Sequence, residues 1–423
     1  MSVAQRMKEV REGFQPAFWV ANFTELFERL AYYGPQAVLA VYLTEHLLFT
    51  PEQAGQLIGF YGFVVWLLPV LGGTLADRFG FRRTLAAAYL ILTLGYFLLG
   101  SLSADFMAPL REALPLYWLV LAVMMVPALG PAVVKPVVAG STARASTENV
   151  RSLGYSIYYT VVNIGGTLGP LMAYQVRTTL GIENVFRVSA LFTFAMFLVT
   201  LGFYQEPGRA DDQKVASIGQ SLKNLLVVLA NVRFMAFLVI FSGFYVVFWQ
   251  QYIALPLFLR GYVDPNAKVD LLLTVDPATV IAFTFIVNYL TRKVPVFVAM
   301  TVGILISALS WLILTAGGST PLVVAALFVL AMGEITLSPR FYEYCSRLAP
   351  PGQQGLFMGF AFLPVAIGYF IAGPLGGWLV RHYGEELHTP NRMWFVVTGV
   401  GLLTTALMIA YHRFVKPAAV EAR

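Results

Sequence analysis

Residues 25 to 34 read Glu-Leu-Phe-Glu-Arg-Leu-Ala-Tyr-Tyr-Gly, inside an otherwise apolar run from about Phe18 to His46. Glu25, Glu28 and Arg29 are full charges there, and each costs roughly 2.5–3.5 kcal/mol at mid-membrane on insertion scales. Residues three and four apart share a helix face, so Glu25 stacks beside Glu28 and Arg29, with Tyr32 and Tyr33 one turn on. Such a face lines a polar cavity or a helix interface, and intramembrane ionisable clusters mark ion or substrate pathways. The plainer reading is an interhelical salt bridge with no ligand. Lys135, Asn163, Asp276 and Glu334 also interrupt apolar runs. A buried ammonium loses its proton or finds a partner, and Glu25 or Glu28 is the natural partner for Lys135. Proton binding and pair breakage are then linked, which is a coupling device. Arg29 offers a planar fork suited to a carboxylate. Glu334, Asn163 and Asp276 offer acceptors suited to an ammonium. The set as a whole suits a zwitterion such as a short peptide. Asn163 serves equally well as a plain interhelical hydrogen bonder, Gln250 and Gln251 as packing glue, and Tyr33, Trp66 and Trp249 as a wall.

These residues sit in a chain of 423, of which 58% are hydrophobic and 12% charged, with mean hydropathy +0.72. A soluble domain carries about 25% charged residues. The composition is that of an all-α polytopic protein of the lipid bilayer. The net charge of +6 reads as Lys and Arg on cytoplasmic loops, not as affinity for nucleic acid. One cysteine, Cys345, excludes an internal disulfide and a multi-cysteine metal or redox site. His46, His382, His388 and His412 are scattered without metal-ligand spacing, so no metal or cofactor is expected. No nucleophile–base arrangement or phosphate loop supports an enzyme, and no large soluble domain supports a receptor. No signal-peptide cleavage pattern precedes the first apolar run, so that helix is expected to be retained.

A spanning helix needs about 20 apolar residues. Twelve candidates emerge, near 17–45, 53–77, 83–104, 115–141, 150–175 and 185–205, then 232–260, 275–291, 294–316, 320–345, 354–380 and 391–413. The expected domains are an N-terminal six-helix bundle over 1–205, a cytoplasmic linker over 206–231 and a C-terminal bundle over 232–423. Ile218, Leu222, Leu225 and Leu229 share one helical face in the linker, either as a short surface helix or as an early start to the seventh span. Most of the 28 Lys and Arg fall on segments that cytoplasmic termini would put inside, which sets the orientation. Six spans, a linker and six more is the layout of a two-bundle transporter with its site between the halves.

The loop after the second span reads Gly72-Gly73-Thr74-Leu75-Ala76-Asp77-Arg78-Phe79-Gly80-Phe81-Arg82-Arg83. It resembles the loop signature of the major facilitator superfamily, which implies a cytoplasmic gating role for Gly73, Asp77 and Arg78. The stretch from Glu25 resembles the first-helix motif of the proton-coupled oligopeptide transporter family, with Leu30 in place of its phenylalanine. Lys135-Pro136, the run from Tyr155 to Gly165, Gly333-Glu334 with Ser338-Pro339, and Leu348-Ala349-Pro350 follow in the family's order. The resemblance implies a plasma-membrane proton symporter, monomeric, driven by the proton gradient without a cofactor, for di- and tripeptides or peptide-like zwitterions. It implies proton coupling by Glu25, Glu28, Arg29 and Lys135. It implies substrate binding by Arg29, Tyr33, Lys135, Asn163, Trp249, Gln251, Asp276, Glu334 and Ser338. The chain departs from the family at Trp249, where a glutamate usually precedes the paired glutamines, at Asp276, where asparagine is usual, and at Arg340 and Glu343. These departures favour, as the alternative, a transporter of another small organic ion or drug-like compound. Trp249 cannot carry a proton, so coupling is expected at the first helix.

Overall fold

The computed structural model describes residues 12–69, 78–207, 226–350 and 353–415, and they are almost entirely helical. The main helices are α1 (Pro16–Val41), α2 (Pro51–Leu67), α3 (Phe81–Leu99), α4 (Leu116–Arg144), α5 (Glu148–Leu180) and α6 (Glu183–Phe203). They continue with α7 (Val232–Phe248), α8 (Val275–Thr291), α9 (Val296–Ser310), α10 (Thr320–Leu348), α11 (Leu363–Leu379) and α12 (Met393–Phe414). Each of the twelve expected spans falls on one of these helices. Among the described residues nine helices are long and apolar enough to cross a membrane. The other three have identifiable reasons for falling short by composition. In α1 the charges Glu25, Glu28 and Arg29 interrupt the apolar run. The described part of α2 is 17 residues long. In α5 serine, threonine, asparagine, glycine and tyrosine replace aliphatic side chains.

By contacts the chain forms two compact units, Met1–Pro35 with Leu68–Ser221, and Gln36–Leu67 with Leu222–Arg423. The first unit packs Phe14, Phe18, Phe81, Tyr89, Leu92, Tyr96 and Val134 into one buried cluster. Gln15 N–H donates to the Ala145 carbonyl at 2.8 Å, which ties the start of α1 to the α4–α5 turn. The loop signature includes Gly80, whose φ of +85° favours a residue without Cβ. The Glu206 carboxylate accepts from Phe81 N–H at 2.6 Å and from Arg82 N–H at 2.9 Å. It satisfies orphan donors at the positive end of α3. Arg78 is exposed, its guanidinium 5.5 Å from the Phe79 ring. Gly73 and Asp77, named for gating, lie outside the described residues, as do Ile218, Leu222 and Leu225; Leu229 is exposed.

The division of contacts runs across the expected bundles of 1–205 and 232–423 and their linker over 206–231, and does not test them. Within α1 it falls between Pro35 and Gln36, where proline removes one helix hydrogen bond. Helix α2 groups with the second unit because it lies against α11 along a seam of glycines. A Cβ on Gly55 would overlap the Gly373 carbonyl oxygen, one on Gly59 would crowd Pro374, and one on Gly62 would overlap the Tyr369 ring. An ion pair stands at the end of the seam, Arg381–Glu52 at 2.6 Å, and a second, Arg260–Glu45 at 2.5 Å, joins the segment after α1 to the segment after α7. Elsewhere in this unit Trp311 stacks on Trp394 at 4.6 Å, and Phe241 stacks on Phe341 at 4.3 Å.

The seam gives a direct test. Gly55→Leu forces backbone apart, and overpacking of this kind costs about 1–3 kcal/mol. We expect a clear drop in the melting temperature of the purified protein. Gly202→Leu, at a glycine with nothing within 4 Å of an added Cβ, should melt as wild type does. Equal melting of the two variants would mean that the seam contributes nothing to stability.

Candidate functional site

In the first unit the charged face of α1 is fully buried, with Glu25, Glu28 and Arg29 at most 2% exposed. Arg29 Nε donates to Glu28 Oε2 at 2.5 Å and lies 3.3 Å from Glu25 Oε1. Its guanidinium also pairs with Glu28 through a terminal nitrogen and sits 5.2 Å from the Tyr32 ring. Helix α5 closes over this face at a glycine, because a Cβ on Gly165 would overlap the Arg29 side chain. Gly169 opposes Gly34 and Tyr33 in the same way. Lys135 is buried on α4 and lies within electrostatic reach of Glu25, Glu28 and Arg29. One cluster thus holds two carboxylates, a guanidinium and an ammonium. Two charges of each sign can be shuffled among partners without any of them moving into lipid.

In the second unit the acids form a different arrangement. Asp276, at the start of α8, is 4% exposed, and its Oδ2 accepts from Gln251 Nε2 at 3.2 Å. The carboxyls of Asp276 and of Glu334 on α10 lie within side-chain hydrogen-bonding range of each other. Ser338 follows Glu334 by one turn of α10 and is half-buried. Trp249 is buried between Tyr369, at 4.1 Å, and Trp66, at 6.1 Å between ring centres. Trp66 also faces Phe362 at 6.0 Å.

Several sequence readings are sharpened by this geometry. Gln250 donates to the Val246 and Ala372 carbonyls at 3.2 and 3.1 Å, which fastens α7 to α11. It is glue, whereas Gln251 reaches the acid pair. The Asn163 amide donates to the Tyr159 carbonyl of its own helix at 2.9 Å, which leaves its oxygen as the group available to a neighbour. Arg340, which lies close enough in sequence to neutralise the acids, instead donates to the Thr291 carbonyl at 3.2 Å and pairs with Glu343 at 3.5 Å. Three contributors were not read from the sequence. Tyr89 is buried within electrostatic reach of Glu25, with Thr24 nearby. Tyr158 lies within electrostatic reach of Arg29. Tyr369 stacks on Trp249. The available signal was that each is a tyrosine in an apolar run, where a hydroxyl needs a partner.

Comparison with known proteins bears on this geometry. The family model described as Major Facilitator Superfamily matches residues 22–363 and 254–423. The chain is 23% identical over 400 residues to a multidrug resistance protein MdtH of Aeromonas hydrophila, covering 93% of this chain and 95% of that protein. It is 22% identical over 457 residues to dipeptide and tripeptide permease B of Edwardsiella piscicida, covering 90% of each. Among solved structures it is similar to a POT family transporter in complex with a thioalcohol-conjugated peptide, with TM-score 0.75, 17% identity, and 94% and 96% of the two chains covered. A POT family transporter in complex with 5-aminolevulinic acid gives TM-score 0.74 at 17% identity over 94% and 96%.

The ion cluster on α1 carries its own prediction. Removing one partner of a buried pair costs about 3–5 kcal/mol, while replacing the whole set with neutral groups of similar volume is often close to neutral. Arg29→Met should therefore lower the melting temperature sharply. Adding Glu25→Gln, Glu28→Gln and Lys135→Met, which removes all four charges, should recover a large part of the loss. A quadruple variant less stable than Arg29→Met alone would show that these groups are held by contacts other than one another.

Proposed function

We propose, for a chain that belongs to the Major Facilitator Superfamily, that it is a proton-coupled symporter importing di- and tripeptides or peptide-like zwitterions by alternating access. Membership makes it a multi-pass membrane transporter rather than an enzyme. The observation that supports the finer reading is the placement of the cations: Arg29 and Lys135 lie in one unit, and the second pair of acids, Asp276 and Glu334, lies in the other. In this reading the carboxylate of the ligand goes to Arg29 and Lys135, with Tyr33 and Asn163 beside them. Its ammonium goes to Glu334 and Asp276, with Gln251, Trp249 and Ser338 around it. Both ends gain partners only as the bundles approach. That differential binding is what shifts a conformational equilibrium.

The proton enters at Glu25 and Glu28. Protonating either weakens its hold on Arg29 and on Lys135, which releases a cation to the ligand carboxylate. The proton gradient is the driving force and no cofactor is needed. The protein works as a monomer in the plasma membrane with both termini cytoplasmic. The bundles of 1–205 and 232–423 alternate about the 206–231 linker, and Gly73, Asp77 and Arg78 gate the cytoplasmic side. A second reading, transport of a drug-like amine, draws on Trp66, Trp249 and Tyr369, whose ring faces attract cations, and on the likeness to a multidrug resistance protein.

Two measurements test these readings. In liposomes, Glu25→Gln, Glu28→Gln and Lys135→Ala should abolish pH-driven accumulation of a dipeptide, and counterflow exchange, which needs no net proton movement, should survive in at least one of them. Normal accumulation by all three would refute coupling at α1. For polarity, thermal-shift binding of free-amine L-alanyl-L-alanine should exceed that of its N-acetylated form by about tenfold or more, a difference of about 1.4 kcal/mol. Equal affinity would rule out ammonium recognition by Asp276 and Glu334.

A further inference from the structure

Asp276 and Glu334 raise a question that the ligand alone does not answer, because a buried acid and a half-buried one face each other. Asp276 Oδ2 has Gln251 as its donor, while Oδ1 has none among the described residues. The nearest group of suitable chemistry is the Glu334 carboxyl, within hydrogen-bonding range. An ionised carboxylate only accepts hydrogen bonds, and a carboxyl donates only when protonated. Two carboxylates so close in an apolar setting cannot both be ionised. We propose that Asp276 and Glu334 hold one proton between them, as a site separate from the α1 cluster, and that an amine-bearing ligand displaces it.

The groups around the pair fit this role. Among the described residues, Gln251 faces Asp276 from the segment after α7, Tyr245 of α7 lies within electrostatic reach of Glu334, and Arg340 of α10 is held by Thr291 and Glu343. The α1 acids have Arg29 to neutralise them; among the described residues this pair has no ion pair with a guanidinium, and a proton takes that place. Gln251 is fully buried, and with its Nε2 on Asp276 its Oε1 has no donor among the described residues. Asp276 Oδ1, Gln251 Oε1 and the Glu334 carboxyl therefore present acceptors in one place. An ammonium brings three donors and no acceptor. When it enters, the carboxyl O–H bond breaks, its electron pair stays on the oxygen, the proton passes to solvent, and ammonium N–H groups donate in its place. Binding at this site then releases one proton, so net symport requires uptake at both Glu25 and Glu28 of the α1 cluster. The residue responsible is Asp276. An asparagine there would supply its own N–H and leave no proton to share.

The displacement step rests on the amine-recognition reading above; the shared proton does not. The test is infrared spectroscopy of the full-length protein in lipid vesicles at neutral pH, in water and in deuterium oxide. Wild type should show a deuterium-sensitive stretch of a protonated carboxyl. That band should vanish in both Asp276→Asn and Glu334→Gln, because either change leaves the remaining acid an amide to accept from, and it should persist in Glu25→Gln. Its absence from wild type, or its survival in both single variants, overturns the shared proton. Saturating L-alanyl-L-alanine should erase the band and the N-acetyl form should spare it. A band that persists with L-alanyl-L-alanine bound overturns displacement. If that peptide does not bind while the band behaves as stated, the proton pair stands and the peptide reading falls.

Discussion

A charge carried into an apolar helix bundle must bring its neutraliser with it, since water is not there to serve. Arg29 is the point at which this requirement shapes the first unit. Its two acids lie on the same helix, one and four residues before it, so α1 folds with its counter-ions already in place. What the helix cannot supply is exclusion of solvent from the face. That falls to Gly165 and Gly169 of α5, whose missing side chains let the second helix close directly over the guanidinium. Lys135 then joins from α4 as a second cation for the same acids. Burial of this kind contributes little net stability. Its value lies in the number of pairings the four groups can exchange.

The second unit meets the same requirement by different means. Where a glutamate would bring another acid, Trp249 brings an aromatic face, and the acid appears instead at Asp276, across from Glu334. The two departures from the family pattern thus bear on one neighbourhood, linked through Gln251, which follows Trp249 by two residues and donates to Asp276. Seen together they move an acidic group from α7 to α8 rather than deleting it.

How much of this could be read from the chain depended on distance along it. The α1 cluster was legible because helix periodicity alone stacks Glu25, Glu28 and Arg29. Helices α1, α2 and α5 were legible as spans from their apolar runs, and the first-helix and fifth-helix motifs and the loop after α2 fall on or beside them. The pairing of Asp276 with Glu334 was not legible. Each was visible as a polar residue in an apolar run, but nothing in local spacing says that α8 and α10 bring them within reach. The grouping of α2 with α11 was hidden for the same reason. Glycines at 55, 59 and 62 hint at a close neighbour, but they do not say which helix it is. Nor does any residue near Phe81 predict that Glu206, beyond the end of α6, caps α3.

The glycine seam between α2 and α11 also limits how this contact can be adjusted. Backbone lies on backbone there, so any substitution adds volume and none adds grip. Tuning has to come from the rim, where Glu52–Arg381 is partly exposed. Charges at that depth answer to the surrounding electrolyte, whose screening length is about 8 Å at physiological ionic strength. The seam itself is indifferent to salt. The tightness with which these two helices hold together is therefore set partly by the medium bathing their ends, and saline or dilute surroundings would loosen or tighten it without any change in the chain.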